Sequence, residues 1–115
     1  MCTNLDYCLG GKLNMSIAVG LKGEASAVVN DENTAIAFGS GSVNVFATPA
    51  MIGLMEKAAL SSVDPLLDPG NSTVGIKLQV EHKAATPIGM KVTASSELIE
   101  VDGRRLVFKV VARDN

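Results

Sequence analysis

One apolar segment runs from Ala50 to Leu60, between Thr48-Pro49 and Asp64-Pro65, and these two proline-marked boundaries constrain the fold more than any other feature. Thr48 can cap bare backbone N–H groups, and Pro49 suits the first helical position, where its missing N–H costs nothing. The residue before a proline resists helical geometry, so the helix should stop before Asp64-Pro65. Its side chains are apolar almost all round, which predicts a helix enclosed by the rest of the chain.

The enclosing material has to come from strands. After the turn-rich stretch Leu66 to Asn71 (LLDPGN), the period changes from helical to alternating. Val74, Ile76, Leu78 and Val80 are expected on one face of a strand that ends near Lys83, with Lys77, Gln79 and Glu81 on the other. Thr86-Pro87-Ile88-Gly89 makes a break. A second strand runs from Met90 through Val92 and Ala94, and its apolar phase slips between Leu98 and Ile99, which reads as a bulge. Asp102-Gly103 is a strong hairpin signal leading to a third strand, with Leu106, Phe108, Val110 and Ala112 on one face.

Upstream of the helix, Ala25, Ala27 and Val29 alternate with Glu24, Ser26 and Val28 in a half-buried strand closed by Asn30-Asp31-Glu32-Asn33. Gly39-Ser40-Gly41-Ser42 lacks the Gly-Lys-Ser/Thr ending of a phosphate loop and reads as a flexible connector. Residues 1–22 are expected to form an N-terminal arm and first strand region, the part from Met1 to Lys12 loose and without chemistry. Residues 23–115 make a single domain. The order strand, helix, strand meander is an α+β pattern in which one antiparallel sheet covers a buried helix.

Composition limits what such a domain can bind. The chain has 115 residues, 47% hydrophobic and 19% charged, which is enough for one domain with a sizeable core. Aromatic residues are only 3%, with no Trp, and the net charge is -2. Stacking platforms and a basic field are both missing, so no nucleic-acid partner is expected, and an anionic ligand would need a local basic patch. No apolar run approaches the ~20 residues of a membrane span, and the start has no charged-then-apolar signal pattern; a cytoplasmic protein without membrane contact is expected. Cys2 and Cys8 lack metal-type spacing and read as reduced thiols. With no HExxH motif, no nucleophile elbow and no Cys/His ligand set, no metal is expected.

Three residues could carry chemistry. Glu56 places a carboxylate among Ile52, Gly53, Ala59 and Leu60, where an unpaired charge is costly. It either has a buried partner, or it snorkels or pairs with Lys57 or a strand lysine at the helix edge. His82, the only histidine, continues the series Val74 to Val80 and should point toward the helix, as a structural hydrogen-bonding residue or as a catalyst. A helix carboxylate facing a sheet histidine would form an acid/base pair suited to activating water. Thr48 is a helix cap by default. Eight residues of regular helix rise about 12 Å, so Thr48 and Glu56 of one chain should not touch, and a site using both would be assembled across a dimer interface.

The segments Val45 to Ala59 (VFATPAMIGLMEKAA), Val74 to Gly89 (VGIKLQVEHKAATPIG) and Glu100 to Leu106 (EVDGRRL) resemble the hotdog-fold acyl-CoA thioesterases of the fluoroacetyl-CoA thioesterase-like family. The resemblance spans roughly residues 20–113. It implies a hotdog fold, an antiparallel sheet wrapped around one long helix, and a homodimer or higher oligomer with its sites at the subunit interface. It also implies catalytic roles for Thr48, Glu56 and His82, and a substrate-binding role for Gly75 near the thioester. The family continues past the third meander strand into a further strand, whereas this chain stops at Asn115, so an incomplete sheet with one unpaired strand is expected. The Gly39-Ser40-Gly41-Ser42 connector offers no aromatic residue to shape a fluorine-discriminating lid, so fluoroacetyl selectivity is not carried over.

The resemblance thus points to an acyl-CoA thioesterase in which water attacks the thioester carbonyl. His82 would do general acid/base work, Glu56 would orient it, activate water or attack the carbonyl itself, and Thr48 would polarise or position the group. Backbone N–H near Gly75 is a candidate oxyanion donor. CoA belongs to the substrate and no separate cofactor is expected. Lys57, Lys83, Arg104 and Arg105 are the candidates for its phosphates, although the hairpin pair Arg104-Arg105 reads equally as a solvated turn. The alternative from another class is a non-catalytic hotdog module that binds acyl-CoA or another small ligand.

Overall fold

A computed structural model of the chain describes residues 2–9, 17–67 and 73–114. In chain order they form β1 (Cys2–Leu9), β2 (Lys22–Val28), a short helix α1 (Ala35–Phe38), the long helix α2 (Thr48–Val63) with a 3-10 turn at Asp64–Leu66, β3 (Thr73–Val80), β4 (Lys91–Asp102) and β5 (Arg105–Asp114). The five strands make one sheet in the order β2-β4-β5-β1-β3, and every neighbouring pair is antiparallel. The α+β layering expected from the hydrophobic periods is present.

Helix α2 starts at Thr48-Pro49 and ends at Val63, immediately before Asp64-Pro65, as the two prolines require. It is not enclosed, because a single sheet covers only one side of it. Met51, Leu54, Met55, Ala58, Ala59 and Val63 are buried on that side, while Gly53 and Lys57 face solvent. The helix lies on β2, β4 and β5. Gly23 lets β2 come close, since a Cβ there would run into the Ala58 carbonyl oxygen and the Ser61 hydroxyl. Ser96 Oγ of β4 donates to that same carbonyl at 3.0 Å.

Strands β4 and β5 adopt the pattern read from the sequence. Leu106, Phe108, Val110 and Ala112 are all buried on one face. Leu98 pairs with Phe108 and Glu100 with Val107, so Ile99 is the extra residue of the expected bulge. The hairpin turns at Gly103, whose φ of 59° is a left-handed conformation that glycine adopts without strain.

Two expectations are corrected. The segment expected to be a loose arm contains β1, which lies inside the sheet between β5 and β3 with Leu5 and Tyr7 buried in the core. Alternation of Leu5 and Tyr7 about Asp6 is a short strand signal, too brief to stand out. Because β1 occupies that slot, β5 has a strand on each side, and the sheet edges are β2 and β3. The Gly10-Gly11 break and most of the LLDPGN turn lie outside the described residues.

The second correction concerns β3. Leu5 pairs with Leu78 and Asp6 with Lys77, but Tyr7 pairs with Gly75, so Ile76 is bulged out of register. Directly opposed residues share a face, and a one-residue slip moves the residues beyond it to the other face. Leu78 therefore lies on the core side with Leu5, while Val74 lies on the outer side. The series Val74 to Val80 does not share one face. Val74, Ile76 and Leu78 are 64%, 56% and 47% exposed, because β3 is an edge strand beyond the cover of α2.

Candidate active site

Sequence-distant loops set the first part of the site. Phe46 N donates to the Thr86 carbonyl at 2.8 Å, and Val45 bridges to Pro87, so the segment after β3 is held beside the start of α2. His82 belongs to that segment, beyond the end of β3, and does not continue the strand face. Its Nδ1 lies 2.7 Å from Thr48 Oγ1. The hydroxyl donates to an unprotonated Nδ1, or accepts from Nδ1–H when that nitrogen carries the proton, in the neutral Nδ1–H tautomer or in the charged ring. Thr48 is not the helix cap: Ala47 holds that position, with no side-chain cap bond. The pair opens into a cavity of about 250 Å³ bounded by Ala35, Ser40, Val45 and Phe46.

Glu56 lies elsewhere. Projecting from α2 two turns on, it lines a second cavity of about 280 Å³ with Tyr7, Gly75, Ile76 and Leu78. The Tyr7 hydroxyl donates to Glu56 Oε2 at 3.3 Å. Burial raises the Tyr7 phenol well above its ordinary pKa, and the charge of Glu56 and its hydrogen bond add to the rise. Gly75 faces the same carboxylate, and a Cβ there would stand 3.5 Å from Oε2.

Within one chain, the expected pairing of Glu56 with His82 is thus absent. Thr48 and His82 form one cluster, Glu56 and Gly75 another, and the two cavities share no lining residue. The reason is the helical rise separating Thr48 from Glu56. Sequence reasoning missed Tyr7 because its partner is 49 residues away.

The four cations proposed for phosphates are scattered. Lys83 lines the Thr48–His82 cavity and pairs with Glu81 at 3.2 Å. Lys57 and Arg104 are exposed and line neither cavity. Arg105 is committed to carboxylates, bonding Asp6 at 2.9 Å and Glu100 beside it, and the Asp6 bond raises its pKa. Lys77, which the sequence did not single out, lines the Glu56 cavity. Among the described residues no group of three His, Cys, Asp or Glu side chains is placed to hold a metal ion, and no helix is long and apolar enough to cross a membrane.

A model of the family described as fluoroacetyl-CoA-specific thioesterase, FlK, matches residues 29–115. A fluoroacetyl-CoA thioesterase of Streptantibioticus cattleyicolor is 49% identical over 70 residues, covering 61% of this chain and 50% of the relative. The chain therefore spans about half the length of that curated relative. Among solved structures, the fluoroacetyl-CoA thioesterase FlK superposes with a TM-score of 0.80 at 37% identity, over 86% of this chain and 78% of that one. A Phe-to-Ala variant of FlK in complex with fluoroacetate and CoA gives 0.79 at 38% identity, over 85% and 83%. The antiparallel sheet and single long helix are those of the hotdog fold.

Proposed function

Since the chain belongs to the fluoroacetyl-CoA-specific thioesterase family, we propose that it is a thioester hydrolase acting on small acyl-CoA substrates in the cytoplasm, at a site completed by a second copy of the chain. The observation that carries this reading is the 2.7 Å contact between Thr48 Oγ1 and His82 Nδ1. A hydroxyl on Nδ1 fixes the ring and leaves Nε2 to exchange a proton with the reacting group. Glu56 supplies the carboxylate that activates water. Water attacks the thioester carbonyl, the C–S bond breaks, and the CoA sulfur leaves and takes up a proton. Gly75 keeps a side chain away from the carboxylate so that the thioester can approach.

Assembly is tied to the same geometry. The exposed apolar residues of the β3 edge, Ile76 and Leu78, call for cover, and an open strand edge pairs readily with another copy. Two-fold pairing along β3 buries these residues and allows Glu56 of one protomer to approach Thr48 and His82 of its partner. CoA itself is substrate, and Lys83 and Lys77 are the cations that line the two cavities, one at each.

Free-thiol release from acetyl-CoA, fluoroacetyl-CoA and longer acyl-CoAs tests the activity, with His82→Ala expected to lower turnover by at least ~100-fold in a folded protein. Binding of acyl-CoA without thiol release would instead identify a binding module. Mixing the His82→Ala variant with an inactive Glu56 variant should restore part of the rate through subunit exchange. Activity in a strictly monomeric protein would refute the shared site.

A further inference from the structure

We propose that Tyr7 is a positioning residue for Glu56, which makes the N-terminal strand part of the site; this rests on the reading of Glu56 as the carboxylate that activates water. Tyr7 is the only tyrosine of the chain and is 2% exposed, yet its one polar side-chain atom reaches Glu56 Oε2 at 3.3 Å. The ring packs edge-on against Phe108, with centroids 5.6 Å apart and planes at 88°, and the strand that carries it is tied to the adjacent β5 by the Asp6–Arg105 pair at 2.9 Å. The hydroxyl therefore has a position set by the core, to which the carboxylate must conform.

The bulge at Ile76 gives this contact its geometry. Without it Tyr7 would stand opposite Ile76; with it Tyr7 stands opposite Gly75. A Cβ at that glycine would be 3.5 Å from Glu56 Oε2 and 3.7 Å from Tyr7 Cε1. Phenol, carboxylate and the one β3 position without a side chain are thus brought together, as bulges beside active sites re-aim side chains. Holding one carboxylate oxygen limits rotation of the group and reserves the other oxygen for the proton of the attacking water. The raised phenol pKa keeps Tyr7 a donor throughout the neutral range.

Kinetics of Tyr7→Phe with acetyl-CoA test this. The variant keeps the ring against Phe108, so its melting temperature should stay close to the parent's. Its kcat should fall about 10-fold with KM within about twofold, the pattern of a lost hydrogen bond to a charged catalytic group. In a Glu56→Gln background the same substitution should cause no further loss. Full kcat in Tyr7→Phe, or an equal loss in both backgrounds, overturns the proposal. A second measurement is independent of hydrolysis and of how Tyr7→Phe folds: the near-ultraviolet titration of the sole tyrosine should move to lower pH in Glu56→Gln, and an unmoved midpoint overturns it. If Glu56→Gln hydrolyses at the parental rate, the assignment of Glu56 fails and the proposal with it; an inactive Glu56→Gln beside a fully active Tyr7→Phe removes Tyr7 alone.

Discussion

Replacing Thr48 by valine separates service to the helix from service to the histidine. Thr48 lies inside the first turn of α2, and the capping position belongs to Ala47, which makes no side-chain cap bond. Deleting the hydroxyl therefore bares no helical N–H, and stability should shift by less than ~0.5 kcal/mol, as for surface changes, instead of the ~0.5–2 kcal/mol of a lost cap. The contact that is lost is the 2.7 Å bond to His82 Nδ1. Bonds to charged groups contribute ~1.5–3 kcal/mol, or ~10- to 150-fold in rate when the imidazole carries charge in the transition state. Thr48 is exposed, so water partly substitutes and the lower end, ~10- to 30-fold in kcat/KM, is expected. Thr48→Ser should recover most of it. Thiol release and thermal melting on the same samples provide the check. A melting point lowered by ~4 °C or more with an unchanged rate would show that the hydroxyl serves the fold.

Three other perturbations are informative. Gly75→Ala places a methyl 3.5 Å from Glu56 Oε2 and 3.7 Å from Tyr7 Cε1, ordinary contact distances, so melting should be unchanged while kcat/KM falls at least ~10-fold because the carboxylate is covered; parental activity would show that the substrate does not approach from this side. The folded-state pKa of Tyr7 is raised, so the stability it contributes is fully present below the ordinary phenol value of 10.0 and is lost as pH rises above it; melting temperatures across alkaline pH should show this decline and Tyr7→Phe should weaken it. Leu78→Lys puts a charge on the 47% exposed edge residue and should yield a monomer without activity, measured by sedimentation and thiol release; an active dimer would move the interface off β3.

Local periodicity was sufficient wherever a segment answers only to itself. The prolines at positions 49 and 65 bound α2, Asp102-Gly103 marks the β4–β5 turn, and the phase slip at Ile99 announces its bulge, because capping, turn chemistry and alternation are properties of neighbouring residues. Glu56 stood out for the same reason, as a carboxylate in an apolar stripe. Tertiary pairing decided the rest. Strand β1 gains its place by pairing with β5, where Asp6 meets Arg105, 99 residues away, and Tyr7 only when β1 lies beside β3. The bulge at Ile76 leaves no mark in the alternation of Val74 to Val80, since an edge strand with both faces open carries no burial pattern to betray its register. His82 reaches Thr48 because the backbone of Phe46 bonds that of Thr86, through groups that no side-chain pattern can single out.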